Sequence, residues 1–181
     1  LAIGMGLMYF DYAEYDDDNV FLDGETGFIP GVMLKYKQEQ GQRYTEWVGT
    51  LYGNTINYDG YSQPGHIPLK TDSVAIVANT HFKFGARLTE QSDSYFGLGF
   101  RYWYRNIHAG RDINGNNVAG LLEQYYWPYL LLGIKNNFYQ ETDLVVGIDL
   151  QYTKMFSARM DIDFFGYCGY DNTSVDLGNR N

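Results

Sequence analysis

From Val74 to Leu88 the chain alternates with a period of two. Val74, Ile76, Ala78, Thr80, Phe82, Phe84, Ala86 and Leu88 share one face, and Ala75, Val77, Asn79, His81, Lys83, Gly85 and Arg87 share the other. The first face is almost wholly apolar, while the second gains polar groups and keeps small residues. Such alternation predicts a strand whose two faces meet different surroundings, and no stretch sustains the 3.6 period of an amphipathic helix. Phe96, Leu98, Phe100, Tyr102 and Tyr104 repeat the pattern against Gly97, Gly99, Arg101, Trp103 and Arg105. Only the short stretch around Glu90 to Asp93 separates the two segments, which predicts an antiparallel hairpin.

The same reading extends along the chain. A first strand is expected over about 2–14, a second over 28–38 and, after a tight turn at Gln40–Gly41, a third over 42–56. The third alternates poorly, because Trp47, Val48, Leu51 and Tyr52 occupy both faces. A sixth is expected over 121–135 and a seventh over 143–153. An eighth over 159–169 sets Met160, Ile162, Phe164 and Cys168 against Arg159, Asp161, Asp163, Phe165 and Tyr167. Eight strands follow, with ten as the alternative, since Ser174 to Leu177 could open another in the tail 170–181. Pro128 lacks the N–H that a central strand needs, so a bulge is expected there; Pro30 falls near a strand start. Connections near 16–27, 57–72 and 107–119 read as long and polar, and those near 39–42, 89–93 and 136–142 as short. The connection near Lys154 to Ala158 breaks this rhythm by being short.

Strand length and charge narrow the class. Eleven residues at about 3.3 Å each, tilted by about 40°, span roughly 28 Å, enough for the apolar layer of an outer membrane. Soluble strands average nearer half that length. The apolar face would then meet lipid. The charged face would be enclosed, with Lys35, His81, Lys83, Arg87, Arg101, Arg105, Glu123, Lys135, Asp149, Asp161 and Asp163 forming a lumen ionic network. Opposite charges there must satisfy one another, because an unpaired buried charge is costly. Gly97, Gly99, Gly133 and Gly147 would make room for Trp103, Trp127 and Tyr129. Tyr9, Tyr12, Tyr15, Tyr36, Tyr102, Tyr104 and Tyr152 suit interfacial girdles as well as ordinary strand propensity. The fold class is therefore all-β: one closed antiparallel up-and-down barrel, spanning a membrane, in a single domain 1–181.

Composition agrees with this and removes other classes. With 45% apolar and 18% aromatic residues the chain is no disordered segment. Its 22 acidic residues outweigh 13 basic ones, for a net charge of −9. Nucleic acid is an unlikely partner for such a chain, because phosphate binding calls for a basic face. The single cysteine, Cys168, excludes an intrachain disulfide and any CxxC motif. No apolar run is long enough for a membrane helix, which leaves a barrel open. The chain opens directly in patterned sequence at Leu1, as a processed chain would.

In this pattern of alternating strands and unequal connections, the chain from Leu1 to Gly169 resembles the small outer-membrane β-barrel proteins of Gram-negative bacteria, the class of the OmpA transmembrane domain and OmpX. The resemblance is architectural rather than motif-based. It implies residence in the outer membrane, contact with its lipid or lipopolysaccharide, a monomer, and loops that bind or support the envelope. The class also contains anchors, narrow pores, adhesins and a few lipid-modifying enzymes.

Candidate chemistry is sparse. No cofactor is implied. Of the histidines, His66 and His108 fall in expected connections and His81 falls on a strand. His108 could meet Ser62 or Asp112, yet no nucleophile motif supports a hydrolase. Asp112, Asn114 and Asn116, with Glu123 at the twelfth position, have the spacing of a calcium loop, but Asn117 stands where that loop needs glycine. They remain weak calcium candidates, with Asp16 to Asp18 beside them. Gly4-Met5-Gly6 lacks the context of a dinucleotide site. Asn172-Thr173-Ser174 matches a glycosylation acceptor only by rule. The expected function is a non-enzymatic barrel with a polar, plugged interior. The alternatives are a soluble lipocalin-like carrier of an apolar ligand, and an outer-membrane lipid-modifying enzyme.

Overall fold

The computed structural model describes residues 1–62, 67–140, 144–166, 169 and 171–178, with the side chains of Ser62 and Gln140 outside that description. The chain is an antiparallel meander. The long strands are β1 (Ala2–Tyr15), β2 (Phe21–Gln40), β3 (Arg43–Ser62), β4 (Ile67–Arg87) and β5 (Ser92–Ile107). A two-residue pair, β6 (Gly110–Arg111) and β7 (Asn117–Val118), forms a small hairpin of its own. Then follow β8 (Leu121–Gln140), β9 (Val145–Met155), β10 (Ala158–Asp163) and β11 (Thr173–Gly178). Nine of these make one sheet in the order β1-β2-β3-β4-β5-β8-β10-β11, with β9 also on β8. Among the described residues no ladder joins β1 to β11, so hydrogen bonding leaves the sheet open.

Strands run on where long connections are expected. Alternation does not stop at Phe28: β2 begins at Phe21 and pairs Asp23 with Gly60 and Glu25 with Tyr58. Likewise β3 continues to Ser62, pairing Asn57 with Asp72 and Tyr58 with Thr71. Most of 16–27 and 57–72 is therefore ladder. The residues are polar because they stand near one rim, not because they leave the sheet. Between β1 and β2, Asp16 Oδ1 accepts the N–H groups of Asp18 (3.0 Å) and Val20 (2.8 Å) and closes a tight turn.

β9 and β10 are one strand in two pieces. β9 pairs with Tyr129–Gln140 and β10 with Leu122–Tyr126, along the same edge of β8. Between Met155 opposite Tyr129 and Arg159 opposite Tyr126 the register moves by one residue, with Ser157 at φ 49°. This is a bulge, one extra residue that bends a strand and reverses its facing. Its cause lies across the ladder. Pro128 has no N–H to give, and Phe156 N–H donates to the Pro128 carbonyl at 3.1 Å just where the neighbour bulges. The bulge expected at Pro128 thus sits in the adjacent strand. The seventh and eighth expected strands merge, and the last strand is β11 in the tail. The sheet has eight positions, and the short Lys154–Ala158 connection is no connection at all.

Pro30 lies well inside β2. The β2–β3 ladder is interrupted from Gly27 to Pro30 without a change of register, and Asn54 Nδ2 donates to the Phe28 carbonyl at 2.7 Å in place of a main-chain bond.

The sheet is tightly curled. A flat sheet would separate β1 from β5 by about 19 Å, four strand spacings. Yet the Phe10 and Tyr12 rings of β1 lie 5.4 and 5.0 Å from the Trp103 ring of β5. One face is therefore concave and filled with side chains. Ladder pairs assign the faces: Trp103 with Tyr125, Arg105 with Glu123 and Lys83 with Glu46 point inward. Ile3, Met5, Leu7, Phe82, Phe96, Leu98, Leu132, Ile134, Ile148 and Leu150 point outward and are exposed. Two expected glycine gaps are explained here. A methyl group on Gly99 would overlap the Tyr129 ring, and one on Gly133 the Tyr95 ring.

Candidate functional site

The concave face is layered. Toward the end where β1 meets β2, Arg105 is fully buried among three carboxylates. Its Nη1 lies 2.6 Å from Glu123 Oε2, its Nη2 2.7 Å from Asp23 Oδ1 and its Nε 3.1 Å from Glu25 Oε1. Glu25 is also fully buried. The Tyr12, Tyr58 and Trp103 rings surround the guanidinium with centroids 5.1, 5.7 and 5.8 Å away. Tyr125 Oη donates to Glu123 at 2.9 Å. A planar guanidinium carries five donors in a fixed fork, so arginine can serve several carboxylates at once where lysine cannot.

Below this lies an aromatic belt. Trp103, Tyr125 and Trp127 stack within 18° of parallel, and Phe10 and Tyr12 close on Trp103 from β1. Ile29, Ile56 and Ala75, with Met8 and Tyr52, form an apolar patch beside it. Next comes a neutral polar layer. Tyr129 Oη donates to Asn79 Oδ1 at 2.7 Å and lies 3.4 Å from His81 Nδ1.

Toward the tight-turn end a second ionic group gathers around Lys83. Glu46 is buried between Lys35 at 2.7 Å and Lys83 at 4.0 Å. Asp149 lies 3.7 Å from Lys83 and accepts a very short hydrogen bond from Tyr95, whose ring faces the Lys83 ammonium at 4.3 Å. Near the rim Arg87 approaches Asp93 at 3.9 Å and Glu39 at 4.0 Å.

The structure thus places Lys35, His81, Lys83, Arg87, Arg105, Glu123 and Asp149 on one concave face, in two separate ionic groups with His81 in the neutral layer between them. Lys135 stands on that face opposite Asp149 in the ladder without an ion pair among the described residues. Arg101 also points inward, between Asn79 and Trp127, but is exposed and has no ion pair among the described residues. Asp161 and Asp163 are corrections. The bulge reverses β10, so Met160 and Ile162 oppose inward Tyr125 and Glu123, while Asp161 and Asp163 oppose outward Gln124 and Leu122. Asp161 bonds instead to Arg159 at 2.7 Å and Ser174 at 2.6 Å on the outer face.

Asp23, Glu25, Glu46, Tyr12 and Tyr58 belong to these clusters and were not expected there. Asp23 and Glu25 sit in what reads as a loop. Their signal is the unbroken spacing Asp23, Glu25, Gly27, Ile29 on one parity. Glu46 is hidden by the poor alternation of β3.

The loop chemistry resolves differently. Asp112 Oδ1 accepts the N–H groups of Asn114 and Asn116, both at 2.9 Å, and Oδ2 accepts Asn116 Nδ2 at 3.0 Å. These bonds hold the Asp112 carboxyl below its ordinary pKa, with the Asn116 side chain the leading cause. The carboxylate is spent on its own turn, and Asn116 turns a donor rather than an acceptor toward it, so the three do not converge as cation ligands. Among the described residues no group of three or more His, Cys, Asp or Glu is placed to hold a metal. His108 donates its backbone N–H to Asp72. His66, Cys168 and the Ser62 side chain lie outside the described residues.

Charge is unevenly shared between the two rims. Asp11, Glu14, Asp16, Asp17, Asp18, Asp59, Asp72, Asp112 and Asp171 gather at the end of the β1–β2 turn, with Lys70 and Arg111 the exposed cations there among the described residues. At the tight-turn end, among the described residues, Lys35, Lys37, Arg43, Arg87 and Lys135 offset Glu39, Glu46, Glu90, Asp93 and Asp149.

Comparisons with protein-family models, with curated proteins and with solved structures give no match to the chain.

Proposed function

We propose that the chain is a non-enzymatic, membrane-spanning β-barrel of the outer-membrane type, with a plugged polar interior. The observation that carries this reading is the inverted placement of side chains. Arg105 and Glu25 have no exposed surface, while Leu98 is 54% and Leu150 70% exposed. In water each such half-exposed apolar side chain would forgo roughly 1 kcal/mol of burial, and a patch this wide would aggregate. Against hydrocarbon the same face is at rest.

The dimensions agree. The outward run from Phe96 to Tyr104 rises about 20 Å at the usual barrel tilt, close to the roughly 25 Å apolar band of such barrels. Eight sheet positions also give an interior about wide enough for side chains alone, which is how the aromatic belt and the Lys83 group fill it. In this reading the β1 and β11 edges approach one another, as hydrocarbon demands of any sheet edge. The partners are outer-membrane lipid and lipopolysaccharide, and the acidic rim supplies the surface for whatever is bound there. The carrier alternative needs Phe84, Leu98 and Ile148 around a cavity, and they stand exposed on the convex face.

Purification with and without detergent tests the proposal. The chain should stay dispersed only in micelles, and its gel mobility should shift on boiling. A monodisperse monomer in detergent-free buffer would reject it.

A further inference from the structure

Outward side chains change character at the tight-turn end of β2 to β5. One ladder row runs Gln38, Thr45, Phe84, Phe96, and the next row toward the turns runs Gln40, Arg43, Ala86, Ser94, all on the convex face. The small groups Thr45, Ala86 and Ser94 leave a surface cleft of about 710 Å3 between their larger neighbours, within the roughly 300–1,000 Å3 of ordinary small-molecule sites. On the side toward the middle of the strands its wall is apolar. The Phe84 and Phe96 rings stack there at 5.5 Å and 25°, and Leu132 continues their row on β8.

Arg43 is the cation of this cleft. Lys35, Lys37, Arg87 and Lys135 stand at the same end but on the concave side, as do Glu39, Glu46, Asp93 and Asp149. Among the described strand residues of this end, Arg43 is thus the one charged side chain that points outward. It is exposed and has no ion pair among the described residues.

We infer that the cleft binds one anionic phospholipid, with its phosphate diester on Arg43 and an acyl chain along Phe84, Phe96 and Leu132. The inference rests on the membrane reading and assigns a site within it. The order of the rows sets the orientation. Polar donors lie at the rim and apolar surface continues toward the middle of the belt, as suits a lipid of the leaflet on the tight-turn side. A guanidinium offers paired N–H donors to phosphate oxygens, and the Thr45 and Ser94 hydroxyls and the glutamine amides stand beside it as neutral donors. A headgroup ammonium finds no carboxylate among the described strand residues on this face, so a lipid of net negative charge is favoured over a zwitterionic one.

Native mass spectrometry of the chain in dodecyl maltoside micelles tests this, with phosphatidylglycerol and phosphatidylcholine of identical acyl chains supplied in equal amounts. One phosphatidylglycerol should be retained over phosphatidylcholine by at least about fivefold, the scale of one basic residue at an anionic lipid surface. Arg43→Gln should abolish the preference. Lys154→Gln removes an outward cation on β9, far from the cleft in the sheet, and should leave it intact. Ser94→Leu keeps the charge but fills the floor, and should release the lipid. Glycerol phosphate, the headgroup without its chains, should not displace it even in large excess. Equal retention of the two lipids, a preference that survives Arg43→Gln or Ser94→Leu, its loss in Lys154→Gln, or displacement by glycerol phosphate would each overturn the inference. A chain that needs micelles yet holds both lipids equally leaves the membrane reading standing, whereas a monodisperse monomer without detergent removes both.

Discussion

Arg105 shows how one side chain can organise the interior. Its guanidinium is the only cation within ion-pair distance of Asp23, Glu25 and Glu123 among the described residues. Removing it would leave three carboxylates in a space without solvent, and such removals cost about 3–5 kcal/mol. Arg105→Ala should therefore lower the urea midpoint sharply in micelles, and Arg105→Lys should recover only part, since an ammonium cannot address all three partners. An unchanged midpoint for the alanine variant would show that the cluster contributes nothing to stability. Asp112, 6% exposed in the β6–β7 hairpin, offers a contrast. Its carboxyl titrates below its ordinary value, so its hold on the turn is complete above the unfolded pKa. That hold fades as pH falls through the folded pKa. Amide exchange at Asn114 and Asn116 should accelerate on acidification, and Asp112→Ala should exchange rapidly at every pH. Arginine and aspartate at these positions are plain in the sequence. Their partners are not, because Asp23 and Glu25 come from β2, three sheet positions from the β5 strand that carries Arg105, a proximity that only curling creates.

Among the elements, the bulged strand separates what could be read from what could not. Alternation alone locates β1, β4, β5 and β8 and assigns their faces, because each keeps one parity over most of its length, with shifts only near Tyr15 and Phe138. It fails at β9–β10, where one inserted residue changes parity mid-strand. Read continuously, 145–163 looks like two strands with a brief connection. The warning lay in the neighbour, since Pro128 withholds a donor and the strand beside it must adjust. Deleting Ser157 would remove the extra residue and leave Arg159 opposite Tyr126 and Met160 opposite Tyr125, so β10 keeps its facing while the ladder runs on unbroken. The variant should keep the heat-shifted gel band of a folded barrel, and its loss would show that the bulge itself is needed beside Pro128. Ser157→Gly should instead stabilise by up to about 1 kcal/mol, because glycine takes φ 49° without strain. Polar composition misled in a related way at 16–27 and 57–72. Residues beyond an apolar band are polar whether they are loop or ladder, so composition marks where the oily belt stops rather than where the strand stops.

For the whole molecule, the interior is solid at two levels, the Arg105 cluster and the stacked Trp103, Tyr125 and Trp127. Reconstituted vesicles should retain a small entrapped dye for hours, whereas prompt release would mean that the layers do not seal. On the proposed membrane-spanning reading, the lopsided distribution of charge bears on how the chain would enter a bilayer. Pulling the aspartate-rich rim through hydrocarbon would strip water from many anions that have few cations beside them, whereas the described charges of the opposite rim balance and can cross as pairs. Entry should be one-way, with the tight turns leading and the aspartates stranded on the side of arrival. Trypsin added outside sealed vesicles should then reach Lys70 and Arg111 in nearly every molecule, and a mixed population of cut and uncut chains would show that this asymmetry does not steer.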